Sequence, residues 1–342
     1  MKNIIGAKPS RVPAPAGPEV KFIAVDEESA GQRLDNFLIR HLKGVPKTHV
    51  YRIIRSGEVR VNKGRASADT RVEAGDTVRV PPVRVPDRVA DKAGHPAPAR
   101  EFPILLEDEH LIALDKPAGV AVHGGSGVSF GVIEQLRQAR PQVRALELVH
   151  RLDRETSGIL LVAKKRSALK ALQDQFRERE TGKTYLALVV GEWPANKKVL
   201  DAPLHKYLLA GQDGTAGAGE RRVKVVARDD PDGMRSITLV RVAQKLAGFT
   251  LLEVTIKTGR THQIRVHLAS EGHPIAGDDK YGNFELNKSL QKQGEKAGLK
   301  RMFLHAWRLQ FRHPASGEPI ELVAALPPEL QTFVAHVTPA PI

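Results

Sequence analysis

The sequence, 342 residues long, contains no cysteine. Disulfide bonds and thiolate metal sites are therefore excluded, because both require the cysteine sulfur. This absence is compatible with a reducing compartment. It also removes the class of small secreted proteins that depend on disulfides for their stability.

Long apolar runs are also missing. No stretch of about 18 apolar residues is present that could span a bilayer. The amino-terminal segment MKNIIGAKPSRVPAPAGPEV has only Ile4 and Ile5 as an apolar run, which is too short for the core of a signal peptide. We therefore expect a cytoplasmic protein that does not span a membrane.

Negative charge is scarce relative to positive charge. The chain has 53 lysines and arginines against 39 aspartates and glutamates, a net charge of +14. Such a surplus indicates a polyanionic partner, either nucleic acid or an anionic membrane, unless the protein is simply basic. Residues 31–85 hold 12 of the cations and five of the acids, so half of the surplus lies in about a sixth of the chain.

Residues 30–85 are predicted to form a small α/β RNA-binding module. Apolar residues at helical spacing indicate two short helices, and the segments EVRVNKGR and DTVRV indicate strands. Tyr51 is the one tyrosine of this segment, so phosphate contact should outweigh base stacking. The cations suited to phosphates lie on and between the helices: Arg40, Lys43, Lys47, Arg52 and Arg55.

The rest of the chain is predicted to be one larger α+β domain over residues 101–335. Residues 1–20 resemble a disordered tail, residues 86–100 a proline-rich linker, and residues 336–342 a second tail. Seven strand-like runs bounded by turns favour a mixed, mainly antiparallel sheet. Two helices stand out, SALKALQDQFRERE and THQIRVHLASEG, the second of which should begin at Thr261.

One carboxylate lies among cations at the start of a predicted buried strand. In HRLDRETSGILLVAK, Asp153 stands between Arg151 and Arg154, whose charges favour its ionised form. An ionised carboxylate in this setting can be a nucleophile, a general base, a structural ion pair or a helix cap. The tight turn Thr156–Ser157–Gly158 would fix its direction.

A second polar cluster is TGRTHQIRVH, which carries Arg260, His262, Arg265 and His267 around a helix start. Amide groups at such a start attract anions, although a solvated basic helix would look the same. The two histidines are five residues apart and lack the intervening glutamate of a zinc-protease helix. We therefore expect no metal site here.

These segments, together with LDKPAGVAVHGGSG and KTYLALV, resemble the four sequence motifs of the RluA family of pseudouridine synthases. The resemblance extends from about residue 20 to residue 335. The module at 30–85 is similar to the RNA-binding unit of a small-subunit ribosomal protein. The family's reaction breaks the bond between uracil nitrogen and ribose, rotates the base and rejoins it through carbon, without cofactor or metal.

The resemblance implies a role for each residue that matches a family motif. Asp153 would be the nucleophile or base, Arg265 its ion-pair partner, and Tyr185 the ring that packs on the flipped base. Arg151 would fill the gap left in the RNA. Further RNA contacts would come from Arg260 and His262 and, in the module, from Lys47, Arg52 and Arg55.

The resemblance further implies a monomer that acts on uridines of large-subunit (23S) ribosomal RNA. Whether Asp153 attacks the base or the sugar, and which uridines are chosen, stays open. Two alternatives also stay open. One is a non-catalytic ribosomal RNA-binding assembly protein with the same fold, and the other is a hydrolase that uses Asp153 and a histidine.

Overall fold

The structure is a computed structural model that describes residues 19–27, 29–42, 44–83, 97–125, 128–143, 145–208, 221–293 and 298–337. The chain divides into two compact units, Met1–Pro96 and Ala97–Ile342. The tail expected at residues 1–20 and the linker expected at 86–100 lie largely outside the described residues. The second tail, 336–342, lies outside them from residue 338 onward.

The first unit is a small α/β module. Its four strands, β1 (Lys21–Ala24), β2 (Arg60–Val61), β3 (Gly64–Arg65) and β4 (Thr77–Val80), pair antiparallel in the order β1-β4-β2-β3. The helices α1 (Leu34–His41) and α2 (Lys47–Arg55) confirm the two that apolar spacing predicts. Their apolar residues are buried in one core, including Leu34, Phe37, Val50 and Ile53.

The strands of the second unit are β5 (Ile104–Glu107), β6 (Leu111–Lys116), β7 (Glu147–Leu148), β8 (Ser157–Ala163), β9 (Gly182–Val190), β10 (Val199–Asp201), β11 (Leu204–Leu208), β12 (Arg221–Val225), β13 (Ile237–Leu246), β14 (Phe249–Ile256), β15 (Leu304–Arg312) and β16 (Pro319–Val323). Ten of them form one sheet. Eight strands run in the order β10-β13-β14-β9-β15-β8-β6-β5, β7 pairs with β8, and β16 pairs with β15. Every pair is antiparallel except β8 with β15. A separate ribbon pairs β11 with β12. The predicted α+β class with a mainly antiparallel sheet is therefore confirmed.

Each of the seven strand-like runs predicted from the sequence overlaps one or more of these strands. The polar insert between β11 and β12 lies outside the described residues.

Five helices of the second unit are described: α3 (Val132–Ala139), α4 (Arg166–Glu178), α5 (Gln263–Ser270), α6 (Phe284–Lys292) and α7 (Pro328–His336). The sequence predicts α4 and α5, but α3, α6 and α7 are additional. These three are short helices of eight or nine residues, and short helices depend on tertiary packing more than on local signals.

The parallel pair β8–β15 is held together by a buried polar chain. The Ser157 hydroxyl lies 2.9 Å from His305 Nδ1, and Arg301 Nη2 donates to the same hydroxyl at 2.8 Å. Burial lowers the pKa of His305 to about 4, so its ring is neutral. These contacts fix the start of β8, directly after the segment that carries Asp153.

Gly158 allows the two parallel strands to approach closely. Its φ is +108°, and a Cβ atom placed there would lie 2.2 Å from the carbonyl oxygen of Ala306. A side chain at this position would therefore clash with backbone and also adopt a conformation that L-residues avoid.

No helix in the described part of the chain is both long and apolar enough to span a membrane.

We expect Gly158→Ala to lower the free energy of unfolding by at least about 3 kcal/mol, because strain and overpacking act together. Gly248→Ala is the matched control, since Gly248 also has a positive φ, +76°, but no atom lies within 4 Å of its Cβ position. The control should lose only about 1 kcal/mol. Urea unfolding measures both, and equal losses would contradict a steric origin.

Candidate active site

Asp153 lies in the loop between β7 and β8, and neighbouring backbone fixes this loop. The Thr156 amide donates to the Asp153 carbonyl at 3.1 Å, closing a turn. The next carbonyl, that of Arg154, accepts from the Gly119 amide at 2.9 Å and from Lys116 Nζ at 3.1 Å. The Asp153 side chain is 20% exposed, so it can be reached from outside.

Lys116, the lysine of the segment LDKPAG, supports the Asp153 loop through a hydrogen bond. The side chain is fully buried at the end of β6 and also donates to the carbonyls of Pro117 and Val120, each at 2.8 Å. Burial lowers the pKa of Lys116 to about 7. The ammonium group therefore connects the segment after β6 to the Asp153 loop through hydrogen bonds with carbonyl oxygens.

Arg265 is the cation nearest to Asp153. Its side chain is 4% exposed, and Nη1 lies 3.4 Å from Asp153 Oδ2. The other nitrogens face Asp278, with Nε to Oδ2 and Nη2 to Oδ1 both at 2.7 Å. Asp279 adds a longer contact to Nη2 at 3.3 Å. The guanidinium therefore joins a buried carboxylate to the carboxylate in the loop.

Asp278 is the anchor of this arrangement, and the sequence analysis did not identify it. Its buried Oδ1 also accepts from the amides of Lys280 and Tyr281. Burial raises the pKa of Asp278, but the hydrogen bonds and charge of Arg265 outweigh this and hold that pKa below its usual value. The segment GDDKYG, with two adjacent acids in a basic chain, was the available signal.

His262 is a second neighbour of the same Asp153 oxygen. Its Nε2 is 3.8 Å from Asp153 Oδ2, and its Nδ1 is 2.9 Å from the Tyr281 hydroxyl, which accepts from the Val223 amide. Burial lowers the pKa of His262, and the charge of Asp153 opposes this shift. The ring is therefore neutral near pH 7 and adds no second full charge beside Arg265.

The helix after TGRTH begins at Gln263 and not at Thr261, contrary to the sequence expectation. His262 precedes it in the left-handed conformation, φ +54°. The Gln263 side chain accepts from the Arg260 amide and from the Thr258 hydroxyl. This side chain closes the turn and delays the helix.

His267 does not belong to the site. It is buried between the Thr238 hydroxyl and the Ala202 carbonyl, each 2.9 Å from a ring nitrogen. Its position in the motif TGRTHQIRVH therefore reflects packing between α5 and the sheet.

Tyr185 and Asp153 line a cavity of about 120 Å³. Tyr185 is on β9, opposite Val254 of β14 and Ala306 of β15. Burial, followed by the charge of Asp153, raises the pKa of its hydroxyl. The apolar part of the lining is formed by Leu152, Ile256, Ile264 and Leu304. The cavity thus combines an anionic oxygen, a neutral phenol and an apolar wall.

Arg151 and Arg260 lie at the rim of this cavity and also line a larger cleft next to it. Arg151 is exposed and makes no ion pair among the residues that the structure describes. Arg260 is partly buried, and its Nε donates to the Arg235 carbonyl at 3.3 Å. The structure therefore brings six of the predicted site residues together at one cavity: Arg151, Asp153, Tyr185, Arg260, His262 and Arg265.

The other three predicted residues lie on the module. Lys47, Arg52 and Arg55 are exposed on α2, whose opposite side buries Val50 and Ile53. None of the three pairs with a carboxylate within the described ranges; Arg52 contacts the ring of His49 at 3.3 Å. These charges are thus available to an anionic ligand.

The module also contains a polar cluster that the sequence analysis missed. Asp35 is buried and accepts from Arg33 at 2.8 Å and from the Tyr51 hydroxyl at 3.1 Å. The exposed ring of Tyr51 is therefore held in a fixed orientation on α2.

One group in the described part of the chain has metal-ligand geometry. Potential ligand atoms of His205, Asp230 and Asp232 lie within 4.8 Å of one another. None of these residues lines the cavity that holds Asp153.

Two family models match the chain. The family model described as RNA pseudouridylate synthase matches residues 110–270, and the S4 domain model matches residues 32–78. The chain is 51% identical over 312 residues to ribosomal large subunit pseudouridine synthase C of Escherichia coli strain K12, covering 90% of this chain and 94% of the relative. The relative of that name from Vibrio cholerae is 50% identical, with 94% and 98% covered.

A solved structure shares the fold of this chain. Human RNA Pseudouridylate Synthase Domain Containing 4 superposes with a TM-score of 0.54 at 25% identity, covering 68% of this chain and 92% of the human one.

We expect Asp278→Asn to lower the free energy of unfolding by about 3 kcal/mol, because it leaves the buried Arg265 with an incomplete counter-charge. The adjacent Asp279→Asn is the control, since Asp279 is 64% exposed and its contact is longer. It should change stability by less than about 0.5 kcal/mol. Urea unfolding at pH 7 compares the two, and similar losses would argue against Asp278 as the anchor.

Proposed function

The chain belongs to the RluA family of RNA pseudouridine synthases, and from this premise we propose that it isomerises specific uridines of large-subunit (23S) ribosomal RNA. The observation that carries the proposal is the accessible Asp153 carboxylate, 3.4 Å from a buried arginine, in a cavity shared with Tyr185. Relatives that are 51% identical to this chain over 90% of its length are named ribosomal large subunit pseudouridine synthase C.

Asp153 begins the reaction as nucleophile or base. The reaction cleaves the bond between uracil N1 and ribose C1′ and forms a bond from C5 to C1′, while the proton on C5 is lost and N1 gains one. All atoms are conserved, so the isomerisation requires no redox partner or energy source. Addition of Asp153 to the base and action on the sugar are both compatible with this balance.

Arg265 orients the Asp153 carboxylate without occupying both of its oxygens. Its stronger contacts go to Asp278, and Asp153 receives one contact of 3.4 Å through a single oxygen. The second carboxylate oxygen is therefore left for the substrate. When a bound substrate displaces water from the cavity, this charge interaction becomes stronger than it is in solvent.

Tyr185 packs against the flipped base. The raised pKa of its hydroxyl keeps the phenol protonated near neutral pH, so no phenolate is available as a base and the ring face is its main contribution. The cavity of about 120 Å³ is on the scale of a single pyrimidine ring. Flipping a base costs a few kcal/mol, and the exposed Arg151 at the rim can occupy the vacated place in the RNA.

The module captures RNA, and the larger unit performs the chemistry. We assign the module to residues 30–85 and the catalytic domain to residues 101–335. The support for this division is the exposed cationic surface of α2 and the separate matches of the two family models. The proposal includes a monomer that acts without cofactor or metal, in the cytoplasm, where ribosomal RNA is found.

We expect Asp153→Asn to lower pseudouridine formation by at least about 10³-fold, because the amide has neither the charge nor the basicity of the carboxylate. RNA binding should change by less than about threefold, since binding depends mainly on phosphate contacts. Pseudouridine mapping on a large-subunit ribosomal RNA transcript and a binding assay on the same RNA measure the two effects.

Asp201→Asn is the control, because Asp201 is exposed on β10 and lines neither cavity. Undiminished conversion by the Asp153 variant would disprove its catalytic role. A wild-type protein that binds the RNA but makes no pseudouridine would instead support a non-catalytic assembly protein.

We further expect the triple variant Lys47→Gln/Arg52→Gln/Arg55→Gln to reduce the slope of log affinity against log salt by about 2, because each lost contact with single-stranded RNA contributes about 0.7. Lys21→Gln, on the exposed edge strand β1, is the control. Binding titrations from 50 to 300 mM KCl measure the slopes. Equal slopes for the triple variant and the wild type would remove α2 from the RNA-binding surface.

A further inference from the structure

A second, larger cleft adjoins the cavity of Asp153. Its volume is about 410 Å³, and it lies where the end of α4 meets the start of β9 and the end of β14. Arg151, Tyr185 and Arg260 line both spaces. A ligand that places one group in the cavity can therefore continue directly into the cleft.

The lining of this cleft is strongly cationic. Besides the two shared arginines it includes Arg177, Arg179, Lys183 and Lys257, and no carboxylate appears among the described residues that line it. Arg177 pairs with Asp174 on the same helix, but Arg179, Lys183 and Lys257 have no ion pair in the described ranges. A surface that merely carries solvated charge would normally mix both signs.

Lys183 shows that the charge is directed inward. The residue is partly buried, and its Nζ lies 5.0 Å from the centre of the Phe176 ring. Burial, and then the charge of Arg179, lowers the pKa of Lys183. An ammonium group with little water and no counter-charge is unfavourable in the free protein, and a bound anion removes that cost.

Strand geometry relates Lys183 to the proposed base-packing ring. Lys183 and Tyr185 are two residues apart on β9, so their side chains leave the same face of the sheet, about 7 Å apart along the strand. A single nucleotide step can bridge such a distance. A phosphate beside Lys183 is thus compatible with a base beside Tyr185.

Phosphate is a better ligand for this cleft than a base. The Phe176 ring is already stacked on His150, with centroids 4.8 Å apart and planes 16° apart, and Lys183 also contacts it. Burial lowers the pKa of His150 to about 4, so its ring is neutral, and its Nε2 accepts from the Leu161 amide. Both rings are thereby engaged within the protein, and the cations remain for the ligand.

We propose that this cleft binds the RNA phosphodiester next to the flipped uridine, with Lys183 and Arg179 as its principal contacts. The inference rests on the proposed function and adds a second RNA subsite to it, within the catalytic unit. Lys183 and Arg179 act as binding residues here, because they contact the backbone of the substrate and not its reacting atoms.

The test uses the full-length protein with Lys183→Met, Arg179→Gln and the control Lys198→Met, in which an exposed lysine outside both cavities loses its charge. Each cleft variant should reduce the salt slope of binding to a single-stranded oligoribonucleotide by about 0.7 and raise KM about fivefold at 0.1 M salt. The value of kcat should stay within about twofold, because the lost contact is equal in ground and transition states.

Two further measurements separate binding from folding. Lys183→Arg retains the charge and should retain the wild-type slope. Lys183→Met should have an unchanged or higher Tm, since it removes an unpaired, partly buried charge. If both cleft variants match Lys198→Met in slope and KM while the wild type converts uridine, the cleft proposal is overturned. If the wild type binds RNA but converts no uridine, the proposed function fails. The salt slopes of the cleft variants would still show whether the cleft binds RNA phosphate.

Discussion

The buried guanidinium of Arg265 connects the structural part of the site to its reactive part. Two short hydrogen bonds join it to Asp278, and one longer contact reaches Asp153. Arg265 and Asp278 together are close to neutral, so the charge of Asp153 is oriented by a dipolar pair and is not cancelled by it. A carboxylate that formed the short bidentate contact itself would have both oxygens occupied and would be a poorer nucleophile or base.

The position of Asp153 does not depend on Arg265 alone. Lys116 and the Gly119 amide both donate to the Arg154 carbonyl, one residue after Asp153, and the Thr156 amide donates to the Asp153 carbonyl. These contacts hold the backbone of the loop, whereas Arg265 holds the carboxylate. Two separate constraints of this kind limit the motion of the reacting oxygens, which supports chemistry that requires close placement.

Much of this site could be predicted from the sequence because its residues occur in short, recognisable segments. Asp153, Tyr185 and Arg265 come from three motifs far apart in the chain, and the sheet brings them to one cavity. The resemblance to a family supplied their association, since no local pattern states which distant residues meet.

The residues that were missed act through contacts that only the folded chain creates. Asp278 lies 13 residues after Arg265, beyond the end of the helix, so helical spacing cannot pair them. Lys116 is fully buried, an unusual place for lysine, and three carbonyl oxygens there accept from its ammonium group. The late start of α5 also depends on the folded chain, because His262 is left-handed and the Gln263 side chain closes the turn there through hydrogen bonds. Helix propensity does not predict these contacts.

Charge compensation differs between the centre of the site and its edge. At the centre, Arg265 has its counter-charges from the protein, whereas Arg151 at the rim and Lys183 in the cleft have none in the described part of the chain. When RNA covers the site it excludes water, and every uncompensated charge then becomes more costly. Phosphates can compensate the cations at the edge, while the centre is compensated before the substrate arrives. The field at Asp153 is therefore set by the protein and, under the proposed function, does not depend on the RNA sequence around the target uridine.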